Sequence, residues 1–409
     1  MMMKTCGWFW LFSPLLLAIK LFAGEAELPL WLEIDWKLGP DLPQAFQDSD
    51  GGIVNEILVT TCGYCDSRET APPSKKEKSV MGHHKKTWGL ELHSPGSSWQ
   101  SLPDYPGEPR QELCGITFGG KIFTWGGFSY SPPFAFRDGY MLSREKDAWR
   151  WQTLPQLPWR LCSASISTLG REIYIFGGAD FQLPDNKYLT AADYSGKIKR
   201  IGARLLTIDT ASLTNGFRER AGCPGTPRFV AAMASVKGKL YVIGGAAGQD
   251  NPTSSYCTVV DNWCYDPQTD RWKRLSDTPI ATGNFPSGAI VFHDRYLLLI
   301  GGFQYRSVLN PDGTIRNSYG KPTKHYPDKD YFSDVLVYDT QTQAFGRATP
   351  MPLNNNLPMA VLNGDVLHLI GGETGGAVVN GEPFAHHPDL YIVGKICLAD
   401  RSNRKRGNE

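Results

Sequence analysis

Short apolar runs separated by turn residues recur along this chain, and each ends on glycine. KIFTWGG closes at Gly127, EIYIFGG at Gly178, KLYVIGG at Gly245, YLLLIGG at Gly302 and VLHLIGG at Gly372. A degenerate copy, EILVTTCG, closes at Gly63 with Cys62 where the other copies have their first glycine. Turn pairs or near-pairs stand before five of these runs: Gly119-Gly120, Leu169-Gly170, Lys237-Gly238, His293-Asp294 and Asn363-Gly364. The pattern predicts a strand, a tight hairpin and a second strand that stops at the glycine doublet. No helical period follows the doublets and no GxGxxG or Lys-Ser/Thr ending is present, so they are not phosphate loops.

The second half of each unit has its own signature: a strand near an aspartate, a turn, then an aromatic residue followed by Leu and Pro. WCYDPQTDRWKRLSDTP (263–279) is the clearest copy. Phe345 holds the aromatic place in one other copy, Trp149 and Trp151 in another, Trp99 in the first unit and Phe217 in the third. Four short strands, a doublet and a downstream aromatic resemble the blades of kelch-type propellers. The expected fold is therefore all-β, a six-bladed kelch-type β-propeller over residues 27–400. Its doublets are expected to be scaffold, placed where a second strand lies too close to its neighbours for a side chain. The last unit, beginning near Asn356, lacks a closing aromatic strand, and LWLEIDWKLGPDLP (30–43) has that character. An N-terminal strand completing the last blade would close the ring and leave no long free edge.

Composition narrows the setting. With 42 basic and 41 acidic residues the net charge is +1, which gives no overall pull toward nucleic acid or an anionic membrane. Lys4, an apolar run and small residues near Ala23 to Ala26 predict a signal peptide over 1–26, with an uncleaved anchor as the alternative. That implies a periplasmic or secreted protein with no membrane contact once the signal is removed. No later stretch reaches about 18 apolar residues. Residues 401–409 form a polar basic tail. Eight cysteines follow the signal, an even number that permits disulfides, with Cys223 and Cys257 in predicted loops as the better candidates.

Few residues suggest chemistry on their own. Cys62 and Cys65 followed by His83 and His84 lack the second CxxC of a structural zinc site, and no metal is expected. His386 and His387, adjacent in sequence, are expected on the surface and pointing apart. The loops leading into the first strands carry Arg110, Arg160 and Arg228, with Asn284 and Asn355 (or Asn356) as counterparts in the next two units. Guanidinium forks converging at one mouth of the channel suit a carboxylate or phosphate. Alternatively, each arginine bonds carbonyls of a neighbouring blade.

YPGEPRQELCGITFGGKIFTWGG, the long inserts FQLPDNKYLTAADYSGKIKR and NSYGKPTKHYPDKDYFSDV, and LIGGETGGAVV together resemble the bacterial periplasmic N-acetylneuraminate epimerase (sialic acid mutarotase) family. The resemblance covers most of the chain after the signal. It implies interconversion of the anomers of a sialic-acid-like sugar without a cofactor, and a small acidic sugar as the partner. In that family a glutamate directly after the fourth doublet and an arginine six residues on are the proposed catalytic pair. Here Ala246 and Pro252 stand at those places. Glu373, Glu112 and His325 are the candidate replacements, and a non-catalytic carbohydrate- or protein-binding propeller is the alternative.

Overall fold

Alternating strands and hairpins fold into four-stranded antiparallel meanders. The computed structural model describes residues 27–65, 82–94, 96–180, 198–248, 256–280, 282–283, 289–305, 307–310, 312–317, 329–375, 378–379, 382–383 and 385–400. The expected signal peptide and basic tail lie outside them.

The first sheet contains Asp50–Val54, Ile57–Cys65, Gly82–Glu91 and Gln100–Leu102, and the second Cys114–Phe118, Lys121–Trp125, Gly139–Glu145 and Ala148–Leu154. The third runs Ser165–Leu169, Glu172–Phe176, Leu205–Asp209, Arg218–Arg220, and the fourth Ala232–Val236, Lys239–Ile243, Trp263–Asp266, Arg271–Arg274. An eight-stranded sheet holds two further meanders, which begin at Ile290–Phe292 and Met359–Asn363. Between them lies Leu30–Leu38, antiparallel to Tyr391–Leu398 and briefly parallel to Ala344–Ala348. The innermost strands pack against one another in chain order, and Met359–Asn363 returns to Asp50–Val54. The fold is a β-propeller.

Burial explains the sequence pattern. Tyr296–Ile300 is buried at every position, because sheets cover it on both faces, and its residues accordingly show no polar alternation. The outer strand Arg271–Arg274 is largely exposed and charged. Apolar clusters sit between successive sheets, as where Phe123 and Trp125 meet Ile166, Ile173 and Ile175.

The doublets join sheet to sheet. The second residue of each doublet donates its N–H to the carbonyl that precedes the next inner strand: Gly63 to Arg110, Gly127 to Leu161, Gly178 to Arg228, Gly245 to Thr282, Gly302 to Asn355 and Gly372 to Phe46. A Cβ on Gly126 would lie 2.2 Å from the Leu161 carbonyl oxygen, and one on Gly177 2.5 Å from that of Arg228. Both glycines are left-handed, so contact and φ together exclude a side chain. Cys62 adopts φ 60° in the same place and is buried scaffold. The outer tryptophans make the matching link at the rim: Trp151 Nε1 donates to Pro103 O, Trp272 to Ala221 O and Trp99 to Pro40 O.

Cys223 and Cys257, the expected disulfide candidates, are separate buried thiols. Burial pushes them up to about 11 and about 12, so they are unreactive as thiolates at neutral pH.

Candidate functional site at the channel mouth

Left-handed residues lead into five of the inner strands and form an arc at one mouth of the channel. Asp48, Glu112, Ser163, Val230 and Leu357 have φ between 48° and 56°. Their backbones are bonded in sequence: Glu112 N–H to Asp48 O, Ser163 N–H to Glu112 O, Val230 N–H to Ser163 O and Asp48 N–H to Leu357 O. Such conformations cost about 1–3 kcal/mol each in non-glycine residues. The repeated inter-sheet bonding holds them, and it brings acidic side chains from separate sheets together.

One residue earlier in each loop bridges the residue just after the doublet, giving the pairs Gln47–Tyr64, Gln111–Phe128, Cys162–Ala179, Phe229–Ala246, Gly283–Phe303 and Asn356–Glu373. The place after the doublet is therefore equivalent from unit to unit. In the fourth unit it holds Ala246, buried among Phe128, Phe229 and Phe303. In the last unit it holds Glu373.

Glu373 is buried and tightly engaged. Asn356 Nδ2 donates to its Oε2 at 2.9 Å, and Oε1 lies 2.9 Å from His386 Nε2 and 3.9 Å from His387 Nε2. His386 and His387 are 5% and 1% exposed and face the same carboxylate, correcting the expectation of outward-pointing surface histidines. The reason is local: Thr374 donates its hydroxyl to Ala385 O and its N–H to His386 O, folding this segment back onto the strand end. The three donor atoms lie within 4.8 Å of one another, a set a divalent cation can accept. At 2.9 Å the Glu373–His386 contact is itself a hydrogen bond.

Asp48 is 2% exposed. Burial first, then the negative charges of Glu112 and Glu373, hold its carboxyl well above the usual carboxylate range, against the lowering effects of Gln47 and His387. Glu112 is half-buried and accepts from Ser163 Oγ on one oxygen and from Gln111 Nε2 at 3.4 Å on the other. Above this group is an aromatic rim. Tyr64 meets His387, His83 and Tyr130 with ring centroids 5.7, 4.8 and 5.4 Å apart, and Tyr130 is half exposed. Burial lowers His83 to about 4, so it is neutral at physiological pH.

The expected arginine pocket is built differently. Arg110 and Arg228 are fully buried. Arg110 donates to Asp138 and to the carbonyls of Gly126 and Glu108. Arg228 donates to Asp261 and to the carbonyls of Gly244 and Thr226. Both guanidinium groups tie a loop to the doublet carbonyl of their own sheet and neither is presented to a ligand. The bonds run within a unit, whereas the alternative expectation had them crossing to a neighbour. Asn355 is a third tie, donating to Gly371 O at 3.0 Å. Arg160 is 38% exposed, beside Asp180. Asn284 and His325 lie outside the described residues. Asp48 is not singled out by the sequence, and burial holds its carboxyl above the usual range at this mouth.

A cavity of about 830 Å³ lies at the opposite ends of the strands, lined by Glu56, His93, Asn363 and Tyr391 among others. It is away from the acid cluster.

A ring of kelch-like sheets with polar loops at one mouth defines a kelch-repeat propeller. Residues 113–372, well over half of the chain, match the family model described as the KLHDC2/KLHL20/DRC7 Kelch-repeats domain, and the chain belongs to that family. It is similar to a Yersinia enterocolitica protein named N-acetylneuraminate epimerase, 30% identical over 179 residues, which is 41% of this chain and 45% of that protein. Over that match the chain spans less than half of the relative. A Pasteurella multocida protein of the same name is 21% identical over 384 residues, 87% of this chain and 92% of that one. The solved structure of YjhT superposes with a TM-score of 0.61 at 16% identity, covering 88% of this chain and 99% of that one, a likeness of fold.

Proposed function

We propose that this propeller binds a sialic-acid-like sugar at the channel mouth and interconverts its anomers. The observation that carries the reading is Asp48, a buried carboxyl beside Glu112 and Glu373 whose hold on its proton is strengthened by burial and by those two charges. Opening a cyclic hemiketal needs one group to take the proton of the anomeric hydroxyl. Another must deliver a proton to the ring oxygen as its bond to the anomeric carbon breaks. Closure on the other face reverses both transfers. Two nearby carboxyls in different environments, one of them holding its proton more tightly than usual, suit that need. In this reading Glu112, held by Ser163 and Gln111, takes the hydroxyl proton and Asp48 supplies the ring-oxygen proton. Glu373 and its histidines lie behind and bias Asp48 electrostatically. Tyr130 and Tyr64 offer a face for the apolar side of the ring.

The relatives' names support the substrate class. The glutamate that the family resemblance puts after the fourth doublet is Ala246 here, and Glu373 fills the equivalent place in the last unit. We count the ring as six blades, the last completed by Leu30–Leu38. The cyclic packing of the inner strands and the pairing of Leu30–Leu38 with Tyr391–Leu398 support that count. Export, read from the N-terminal apolar run, belongs to the same proposal.

Proton NMR of freshly dissolved α-N-acetylneuraminic acid tests the activity. The protein should accelerate conversion to the β form in proportion to its concentration, and Glu112→Gln should lower that acceleration about 10²-fold or more. The buried apolar Ala246 favours a second reading, a sugar-binding propeller without turnover. Broadening of the sugar signals with no acceleration would select it.

A further inference from the structure

The last unit gathers three metal-binding side chains that the proton transfers at the mouth do not use. Glu373, His386 and His387 are all buried, and one donor atom from each lies within 4.8 Å of the other two. His386 Nε2 and His387 Nε2 stand 2.9 and 3.9 Å from the same carboxylate oxygen, Oε1. The two imidazole rings lie side by side, with centroids 4.6 Å apart and 31° between their planes. Bonds from Thr374 to Ala385 and His386 hold their backbone, so the fold, and not a ligand spacing in the sequence, brings the rings to Glu373.

A hydrogen bond between Glu373 and His386 accounts for one histidine, and His387 is too far from Oε1 to share that bond. Donors about 2.1 Å from a common ion stand about 3–4 Å apart, and both distances to Oε1 match that spacing. The other carboxylate oxygen, Oε2, accepts from the buried Asn356 Nδ2 at 2.9 Å, which turns Oε1 toward the histidines. A partner that fixes a ligating carboxylate from behind is the usual companion of a metal site. Two imidazoles and one carboxylate suit zinc or another first-row divalent ion, whereas magnesium and calcium take oxygen donors. Occupancy would offset the charge of Glu373 felt by Asp48, while burial, the leading cause of the raised Asp48 carboxyl, would remain.

We infer that Glu373, His386 and His387 form a binding site for a first-row divalent cation, with zinc the best match to the donor set. Three protein donors leave a position for water or a ligand, unlike the closed four-ligand sites that serve structure alone. The inference goes beyond the sugar reading and does not depend on it.

Titration calorimetry on the chelator-treated full chain would use zinc chloride, with magnesium and calcium chloride as controls. Wild type should bind one zinc per chain and prefer it to both controls. His387→Gln and Glu373→Gln should each weaken zinc by about 10-fold or more. Zinc should raise the melting temperature of wild type and not that of either folded variant. Cys397 is an exposed thiol able to take zinc, so Cys397→Ser should keep the wild-type affinity. Where a buried variant fails to fold, X-ray absorption at the zinc edge of the wild-type protein decides. Nitrogen and oxygen neighbours at about 2.0–2.1 Å would uphold the site, and sulfur at about 2.3 Å would overturn it. Undiminished zinc affinity in folded His387→Gln, loss of binding in Cys397→Ser, tighter binding of magnesium or calcium, or no zinc binding at all would each overturn it too.

Discussion

Asp48 and Arg228 show how burial assigns different work to charged residues. Asp48 binds its proton more tightly in the folded chain than in the unfolded one. From the usual carboxylate range up to its raised value the native state holds the extra proton, so stability falls as pH rises through that window. Asp48→Asn cannot ionise. It should melt higher than wild type at neutral pH, by on the order of 1 kcal/mol, with no difference in strong acid, as read by thermal scans at several pH values. A wild-type-like melt at neutral pH would mean that Asp48 is not held protonated. His83 and His368 act in the opposite sense. Burial lowers both to about 4 from 6.5, so unfolding takes up protons and stability falls as pH drops from about 6.5 to about 4. Arg228, sealed against Asp261 and three carbonyls, is structural. Arg228→Ala should cost about 3–5 kcal/mol in denaturant unfolding, because Asp261 would be left buried and uncompensated. A loss of sugar affinity with unchanged stability would return Arg228 to the binding site.

At the level of elements, the doublet strand is the unit from which the ring is assembled. Gly178 has φ 85°, donates to Arg228 O, and would place a Cβ 2.7 Å from Cys162 O. Gly178→Ala should destabilise by about 1–3 kcal/mol, measured by chemical denaturation, whereas Gly170→Ala in the exposed hairpin meets only its own φ of 62°. Equal costs would show that φ alone, and not the contact between sheets, governs the doublet. These strands were legible in the sequence because burial on both faces leaves apolar runs such as YLLLI, and because only glycine fits where they end. The site was less legible. Arg110 and Arg228 share a loop position that Leu161 holds in the unit between them, with Arg160 one residue earlier, and a sequence does not say which arginine meets a carbonyl and which meets water. Asp48 was missed because the first doublet is degenerate at Cys62. Counted back from the second glycine, Asp48 falls in the same column as Glu112 and Ser163. Adjacent histidines point apart only in an extended segment, and the bonds from Thr374 to Ala385 and His386 fold this one so that both rings meet Glu373.

Across the whole molecule, the ring turns local repetition into a site that no single unit contains. Five of the units supply a described left-handed residue and all six supply one residue after the doublet, and the fold fixes these backbones alike while the side chains differ. Asp48 comes from the first sheet, Glu112 from the second and Glu373 from the last, and closure of the ring is what makes them neighbours. The pH profile of anomer exchange in wild type and Asp48→Asn tests this account most directly. Wild type should accelerate the exchange through neutral pH and lose the acceleration on an alkaline limb as Asp48 ionises. In Asp48→Asn that limb should vanish along with about 10²-fold or more of the rate. Identical profiles for the two proteins, or no acceleration at any pH, would contradict the assignment of acid–base chemistry to the channel mouth.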